Sequence, residues 1–327
     1  MNNNILRFGS FNNEPKKVIK IPKVVNASNV ETFLKNVSIV FTLENTVTKN
    51  YVLDLSYINK INVLGMLLIY KVIEYSVKKN CFLLPSIHYD EFMDSNWGKY
   101  GFIPLINAYV ENQETSEKLK QMNIVISDHF IIAPQPLIRN TDFSNDFLKT
   151  TFLPKIQSYY KENEKIVSMI STFFSEILLN FWEHAVEDTQ SVMIADGRDN
   201  YIEIACADTG NGIISTLRKN KKYNHYSDKE LLEICVDKNI TSKSKTNHMG
   251  YGLWIINEFC KISNGRFHLY SEDYCYKLDY GKKIINKIPF WKGTIVYLAL
   301  PLDNKLSLED IPTFNKYKNT PFKVAFI

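Results

Sequence analysis

The chain has 327 residues, 45% of them apolar and 23% charged; at roughly 150 residues per domain that allows two domains or one large one. Ordinary apolar and charged usage excludes a wholly disordered chain, and 12 Gly with 11 Pro excludes collagen-like and low-complexity architectures. A net charge of +4 is too small to indicate a nucleic-acid partner.

The first half reads as alternating strands and helices. Val18–Ile21 is a short β-branched run, and Asn29–Ser38 fits an amphipathic helix with Val30, Phe33, Leu34 and Val37 on one side. Tyr51–Ser56 is a mostly apolar run suited to a strand buried on both faces. The turn-like Asn59–Asn62 leads into a helix over Val63–Lys78, where Leu64, Leu67, Leu68, Lys71, Val72 and Tyr75 recur at helical spacing. Cys81–Leu84, stopped by Pro85, reads as a further buried strand, and Tyr100–Ile106 as the opening of a short helix. Strand, helix and strand with short links make an α/β pattern.

Residues 15–110 resemble a STAS domain, the fold of bacterial anti-sigma-factor antagonists. The resemblance lies in the strand Val52–Ser56, the linker to Asn62 and the helix starting near Gly65. That family's phosphorylatable serine would fall in Asn62–Gly65, where no hydroxyl residue stands. The resemblance therefore implies a regulatory or docking domain without that switch; an unrelated small α/β domain is the alternative.

Residues 111–155, mixed and polar with Pro134, Pro136 and Asn140, read as a connecting segment. From Lys161 a long helix follows, its buried face marked by Ile166, Ile170, Phe173, Ile177 and Phe181. Glu176, Asn180 and His184 lie four residues apart on it. A four-residue step is about 400° of helix, so these three share a face. A polar stripe beside Ile177, Leu178 and Phe181 needs partners, because an unsatisfied buried polar group costs ~1–3 kcal/mol; a solvated face is the other reading.

Ser191–Ala195 and Tyr201–Ala207 read as a hairpin joined by Asp196–Asn200. The second strand runs into Asp208-Thr-Gly210-Asn-Gly212-Ile213. Alternating glycines let a planar ring approach the backbone, and the Asp208 carboxylate can accept a hydrogen bond from an exocyclic amine. Ser227–Glu230 is a capping box opening a helix through about Lys238. A polar, basic loop, Ile240–Met249, then ends at Gly250-Tyr-Gly252-Leu253 before a helix over Trp254–Ser263. A glycine-rich loop entering a helix N-terminus is a ready anion site, and Lys243 and Lys245 add positive charge; the P-loop pattern G-x-x-x-x-G-K-[ST] is absent. Gly293 and Thr294 stand just before an expected strand, Ile295–Leu300.

The order of these parts resembles the GHKL superfamily of ATPases, which includes DNA gyrase B, Hsp90, histidine kinases and MutL, over residues 160–301. Glu176, Asn180 and His184-Ala185 match its N box, Asp208, Gly210 and Gly212 its G1 box, Gly250-Tyr-Gly252-Leu253 its G2 box and Gly293-Thr294 its G3 box. The resemblance implies an α+β sandwich, with a mixed sheet on one side and helices on the other, that binds ATP. It implies that Asn180 coordinates Mg²⁺ on the triphosphate, that Asp208 reads the adenine amine with support from Thr294, and that Ile213 packs the base. Gly210 and Gly212 would let the base approach, and Gly250, Gly252 and the Leu253 amide would surround the phosphates. Thr241–Met249 would form a mobile lid with Lys243 a phosphate contact. His184 either joins the site or packs as a helix histidine bonded to a backbone carbonyl. Glu176 holds the general-base position.

The organisation expected is a STAS-like domain over 1–110, a connecting segment over 111–155, an ATP-binding domain over 156–303 and a tail over 304–327. None of the six histidines sits in an H-[ED]-x-x-[NT] arrangement, and no long helical hairpin precedes Lys161, so an orthodox sensor histidine kinase is not expected. Three activities stay open: an ATP hydrolase whose nucleotide state controls partner binding or dimerisation, a serine/threonine kinase of the anti-sigma type, and a non-catalytic ATP-responsive module. The hydrolase is the first expectation. Partners beyond ATP would be a protein or a second copy, with no membrane or nucleic acid. Apolar runs fall short of the ~20 residues that span a bilayer, no leader pattern follows Met1, and five cysteines without zinc spacing fit reduced thiols. A cytoplasmic location is the expectation.

Overall fold

The computed structural model describes residues 5–7, 17–42, 51–79, 86–89, 98, 101–108, 113–121, 129–138, 148–160, 163–184, 190–242, 250–302 and 305–312. Its N-terminal half begins with strands β1 (Ile5–Arg7), β2 (Lys17–Lys20) and β3 (Val24–Val25), then helices α1 (Val30–Val37) and α2 (Ile39–Thr42). Strands β4 (Tyr51–Asp54) and β5 (Lys60–Ile61), helix α3 (Val63–Lys79) and strand β6 (Ser86–His88) follow, then helices α4 (Ile103–Asn107) and α5 (Gln113–Gln121). The strand expected at Cys81–Leu84 lies outside the described residues. One sheet has the order β1-β6-β4-β2, with β2, β4 and β6 mutually parallel and β1 antiparallel to β6. β3 and β5 form a separate parallel pair.

α1 buries the four residues its periodicity selects, Val30, Phe33, Leu34 and Val37. α3 is buried around almost its whole circumference: Leu64, Met66, Leu67, Leu68, Ile69, Tyr70, Val72 and Ile73 are all closed to solvent. A helix buried on almost every side belongs between two layers. Asn62 caps its start, the side-chain oxygen accepting the Gly65 N–H at 3.1 Å. Lys71 and Glu74 lie on the same helix, wholly buried, as an ion pair that Lys78 joins at 2.9 Å.

The second half starts with β7 (Phe130–Ile138), a π turn, and helices α6 (Leu153–Tyr159) and α7 (Glu164–His184). Then come β8 (Gln190–Arg198), β9 (Tyr201–Ala207), α8 (Ile213–Arg218), α9 (Asp228–Ile234), α10 (Gly252–Ile262), β10 (Arg266–Asp279) and β11 (Lys282–Pro301). Five strands make one sheet of order β10-β11-β9-β8-β7, antiparallel at every pairing. The expectation of a mixed sheet is corrected here. Two tight hairpins set the direction, β8–β9 through Asp199-Asn200 and β10–β11 through Tyr280-Gly281. The latter pair has φ of 51° and 79°, the left-handed backbone that two-residue hairpin turns require.

β7 falls inside the stretch read from sequence as a connecting segment. Its Pro134 and Pro136 sit on an edge strand, where a missing N–H breaks no ladder, and its register against β8 shifts between Ile132 and Gln135. α9 begins with the expected capping box: Glu230 N–H donates to Ser227 Oγ and the Glu230 carboxylate accepts the Ser227 N–H at 2.7 Å. It ends at Ile234 rather than Lys238, and the chain turns through Asn239 at φ 63°.

One face of the five-stranded sheet carries α7 and α10, with Ile170, Phe173, Ile177, Ile255 and Phe259 packed on Met193, Ile204 and Leu298. The opposite face is covered by the N-terminal half. Val192, Ile194, Ala205 and Tyr297 share a core with α1, α3 and the four-stranded sheet's Ile19, Leu53 and Ile87. The described residues are thus mixed α/β in four layers: sheet, helices, sheet, helices. No helix among them is long and apolar enough to cross a membrane.

Candidate functional site

β9 delivers Asp208 to the end of the sheet, 2% exposed. Its N–H extends the ladder by donating to the Thr294 carbonyl at 3.0 Å, and its Oδ1 accepts the Gly210 N–H at 2.7 Å. Such an aspartate turn redirects the chain two residues on. The Asp208 carbonyl accepts from the Trp291 indole N–H at 3.1 Å. Gly293 lies against this group with φ 94°; a Cβ there would come within 2.4 Å of Asp208 Oδ1 and 2.5 Å of its carbonyl oxygen. Only glycine fits, on both counts.

Gly293 and Thr294 do not stand at a strand start. They lie inside the 20-residue β11, at the point where it begins to pair with β9 through Ile295 and Ala207. Before that point β11 pairs only with β10, as a two-stranded ribbon. The main chain of Thr294 thus contributes to holding Asp208.

The other end of the Asp208 loop is pinned by two residues that sequence reasoning missed. Gly212 precedes α8, whose first N–H, on Ile213, donates to Ser271 Oγ at 2.7 Å. Glu272 accepts the Ser215 N–H at 3.1 Å and the Ser215 hydroxyl. Glu272 has φ 56° in a break of the β10–β11 register. The polar run Ser271-Glu272-Asp273 inside an apolar strand was the one sequence signal of that bulge.

The Glu176–Asn180 and Gly250–Gly252 segments meet elsewhere. On α7, Ile177 and Leu178 are wholly buried while Glu176 and Asn180 are partly exposed. Asn180 Nδ2 donates back to the Glu176 carbonyl at 2.8 Å, which leaves its oxygen, a hard acceptor, pointing away from that bond. α10 starts at Gly252, and a Cβ on Gly252 would fall 2.2 Å from Glu176 Oε2. The carboxylate therefore lies against the positive end of an 11-residue helix. Leu253 follows, partly exposed.

Gly250, φ 70°, sits on the Ile240 main chain, where a Cβ would approach the Ile240 carbonyl oxygen to 2.5 Å. Thr241 is tied next to it: the Tyr223 hydroxyl donates to its carbonyl at 3.2 Å and accepts its N–H at 3.3 Å. The Lys238 ammonium lies 4.2 Å from the centre of the Trp254 ring. Lys243 and the rest of the expected lid through Met249, as well as the His184 side chain, lie outside the described residues.

The structure thus brings the predicted residues into two groups, Asp208 with Gly210, Gly293 and Thr294, and Glu176 with Asn180 and Gly252. Among the described residues no cluster of three or more His, Cys, Asp or Glu could hold a metal ion alone. The side-chain oxygen of Asn180 is the one group of the Glu176–Asn180 pair that could add a neutral oxygen to a hard cation.

A second polar network lies between the two halves of the molecule. Asn62 Nδ2 donates to Glu203 Oε1 at 3.4 Å, and the Tyr297 hydroxyl donates to the same oxygen. Burial pushes the Glu203 carboxyl up, and these two hydrogen bonds oppose it. Nearby, His268 Nε2 lies 2.7 Å from Asp279 Oδ1, which also accepts from Arg266 at 2.7 Å. Lys277 pairs with Glu31 of α1.

No protein-family model matches the chain, and no curated protein sequence matches it.

Proposed function

We propose that residues 156–303 form a Mg-ATP-binding ATPase site of the GHKL type, and that its nucleotide state controls a protein partner or dimerisation. The N-terminal half would be its STAS-like regulatory or docking domain. The observation that carries this reading is the pairing of distant motifs: the G1 segment is hydrogen-bonded to the G3 segment at Asp208, and N-box Glu176 touches Gly252 of the G2 segment. Chance motif matches on unrelated elements have no physical reason to meet in this way.

In this reading Asp208 accepts the adenine amine, and Gly210, Gly212 and Ile213 form the wall against the base. Gly250, Gly252 and Leu253 offer main-chain N–H groups and the α10 dipole to the phosphates. Asn180 holds Mg²⁺, which neutralises triphosphate charge when bound. Glu176 takes the proton of the attacking water. Asn62, which opens the Asn62–Gly65 segment where a phosphorylatable serine would fall, is the α3 cap with its amide turned to Glu203, and that segment offers no substrate hydroxyl.

Incubation of the full chain with γ-labelled ATP and Mg²⁺ tests the reading. Release of free labelled phosphate that Glu176→Gln suppresses is the expected result. Label on protein would establish a kinase instead, and neither product despite tight binding would establish a non-catalytic module.

A further inference from the structure

The five-stranded sheet meets the N-terminal half at an aromatic group whose other side touches the Asp208 loop. Phe41, on α2, packs edge-on against Trp291 with ring centres 4.9 Å apart, and against Tyr75 of α3 at 5.0 Å. Trp291 is wholly buried, and its indole N–H holds the Asp208 carbonyl. Its cross-strand partner on β10 is Glu272, whose carboxylate grips Ser215 at the far end of the same loop. One rung of the ribbon therefore holds Asp208 at one end of the loop and the first turn of α8 at the other, and a ring from the N-terminal half seats that rung.

We propose that Trp291 is a positioning residue that sets where the Asp208 carboxylate stands, and that Phe41 makes this setting depend on the N-terminal half. Base discrimination at the site is then coupled to how that half is seated. The proposal rests on the reading of Asp208 as the group that recognises adenine. An aspartate held at its N–H, its carbonyl and its Oδ1 keeps its carboxylate in one orientation. That orientation favours the C6 amine of adenine and repels the C6 carbonyl of guanine. Without the indole N–H the carbonyl end of the residue is released, and the carboxylate can turn away from the base. Loss of the Phe41 edge contact lets the indole shift and has the same effect to a smaller degree.

The test is the ratio of ATP to GTP affinity, measured by calorimetry with Mg²⁺ on the full chain. Wild type should prefer ATP. Trp291→Phe, which keeps a ring but removes the donor, should lower ATP affinity about tenfold and leave the weak GTP affinity almost unchanged, so that the ratio collapses. Phe41→Leu, which keeps apolar volume, should lower the ratio about threefold, with thermal unfolding recorded for both variants. A merely structural role would weaken both nucleotides alike or lower only the melting temperature, and either result overturns the proposal. Failure of the underlying reading looks different: wild type would bind no ATP, or Asp208→Asn would leave the ratio intact, and the proposal would fall with it. If Asp208→Asn abolishes discrimination while both aromatic variants keep it within twofold, the coupling alone is wrong.

Discussion

Gly252→Ala separates the chemistry of the site from its stability. The residue opens α10 without a left-handed backbone, so an L side chain is locally allowed, and alanine raises helix propensity by about 0.5–1 kcal/mol. The folded chain should therefore be as stable as wild type or slightly more so. The new Cβ, however, would lie 2.2 Å from Glu176 Oε2, where ordinary contact begins at 3.4 Å. The carboxylate ends a flexible side chain and retreats by about 1 Å. Displacement of a reacting group by 1 Å costs about 100-fold in rate, or about 2.7 kcal/mol of barrier. Steady-state phosphate release should fall by that factor while the denaturation midpoint holds or rises. Glu176→Gln should lose at least as much, and the double variant little more than Glu176→Gln alone, since both changes act on one group. Phosphate release within twofold of wild type for Gly252→Ala would refute the assignment of Glu176.

Four further outcomes follow from other contacts in the structure. Asp208→Asn keeps size and can keep the bond to Gly210, yet turns an acceptor on the base into an amide; ATP binding followed by calorimetry should weaken more than 30-fold, a loss of about 2 kcal/mol. Leu68→Ala, at a wholly buried position of α3, should cost ~2–5 kcal/mol in chemical denaturation. Glu74→Leu removes the carboxylate that both the buried Lys71 and Lys78 pair with, and chemical denaturation should show a clear loss of stability. Burial pushes Asp279 up, but hydrogen bonds from His268 and Arg266 outweigh it and hold the carboxyl well below its ordinary 3.8. A carboxyl depressed by folding contributes stability above its unfolded value and loses it as pH falls. The stability gap between wild type and Asp279→Asn should thus be full at pH 6 and shrink below about pH 4; a gap that widens in acid would contradict that sign.

What the sequence made legible followed from local rules. The α1 stripe, the Ser227–Glu230 capping box and the β9 strand all depend on residues close in the chain, and the structure has them where periodicity and capping place them, while α10 starts at Gly252, two residues before the expected Trp254. What it hid depends on residues far apart. Pro134 and Pro136 read as loop because nothing local reveals that β7 is an edge strand, where proline is tolerated. The all-round burial of α3 was visible as apolar content, but the second sheet that covers it comes from the other half of the chain. Gly293 was expected just before a strand, yet it lies within β11, because the strand runs on as a ribbon that extends beyond the sheet. Ser271 and Glu272 carried no motif; their function in pinning α8 exists only because a bulge turns both toward it.

The most direct test of the central claim is calorimetric titration of ATP with Mg²⁺ into the full chain, alongside Asp208→Asn. Saturable binding of one nucleotide per chain, lost in the variant, is the result this account predicts. Absence of binding to wild type, or equal binding to both proteins, would contradict it.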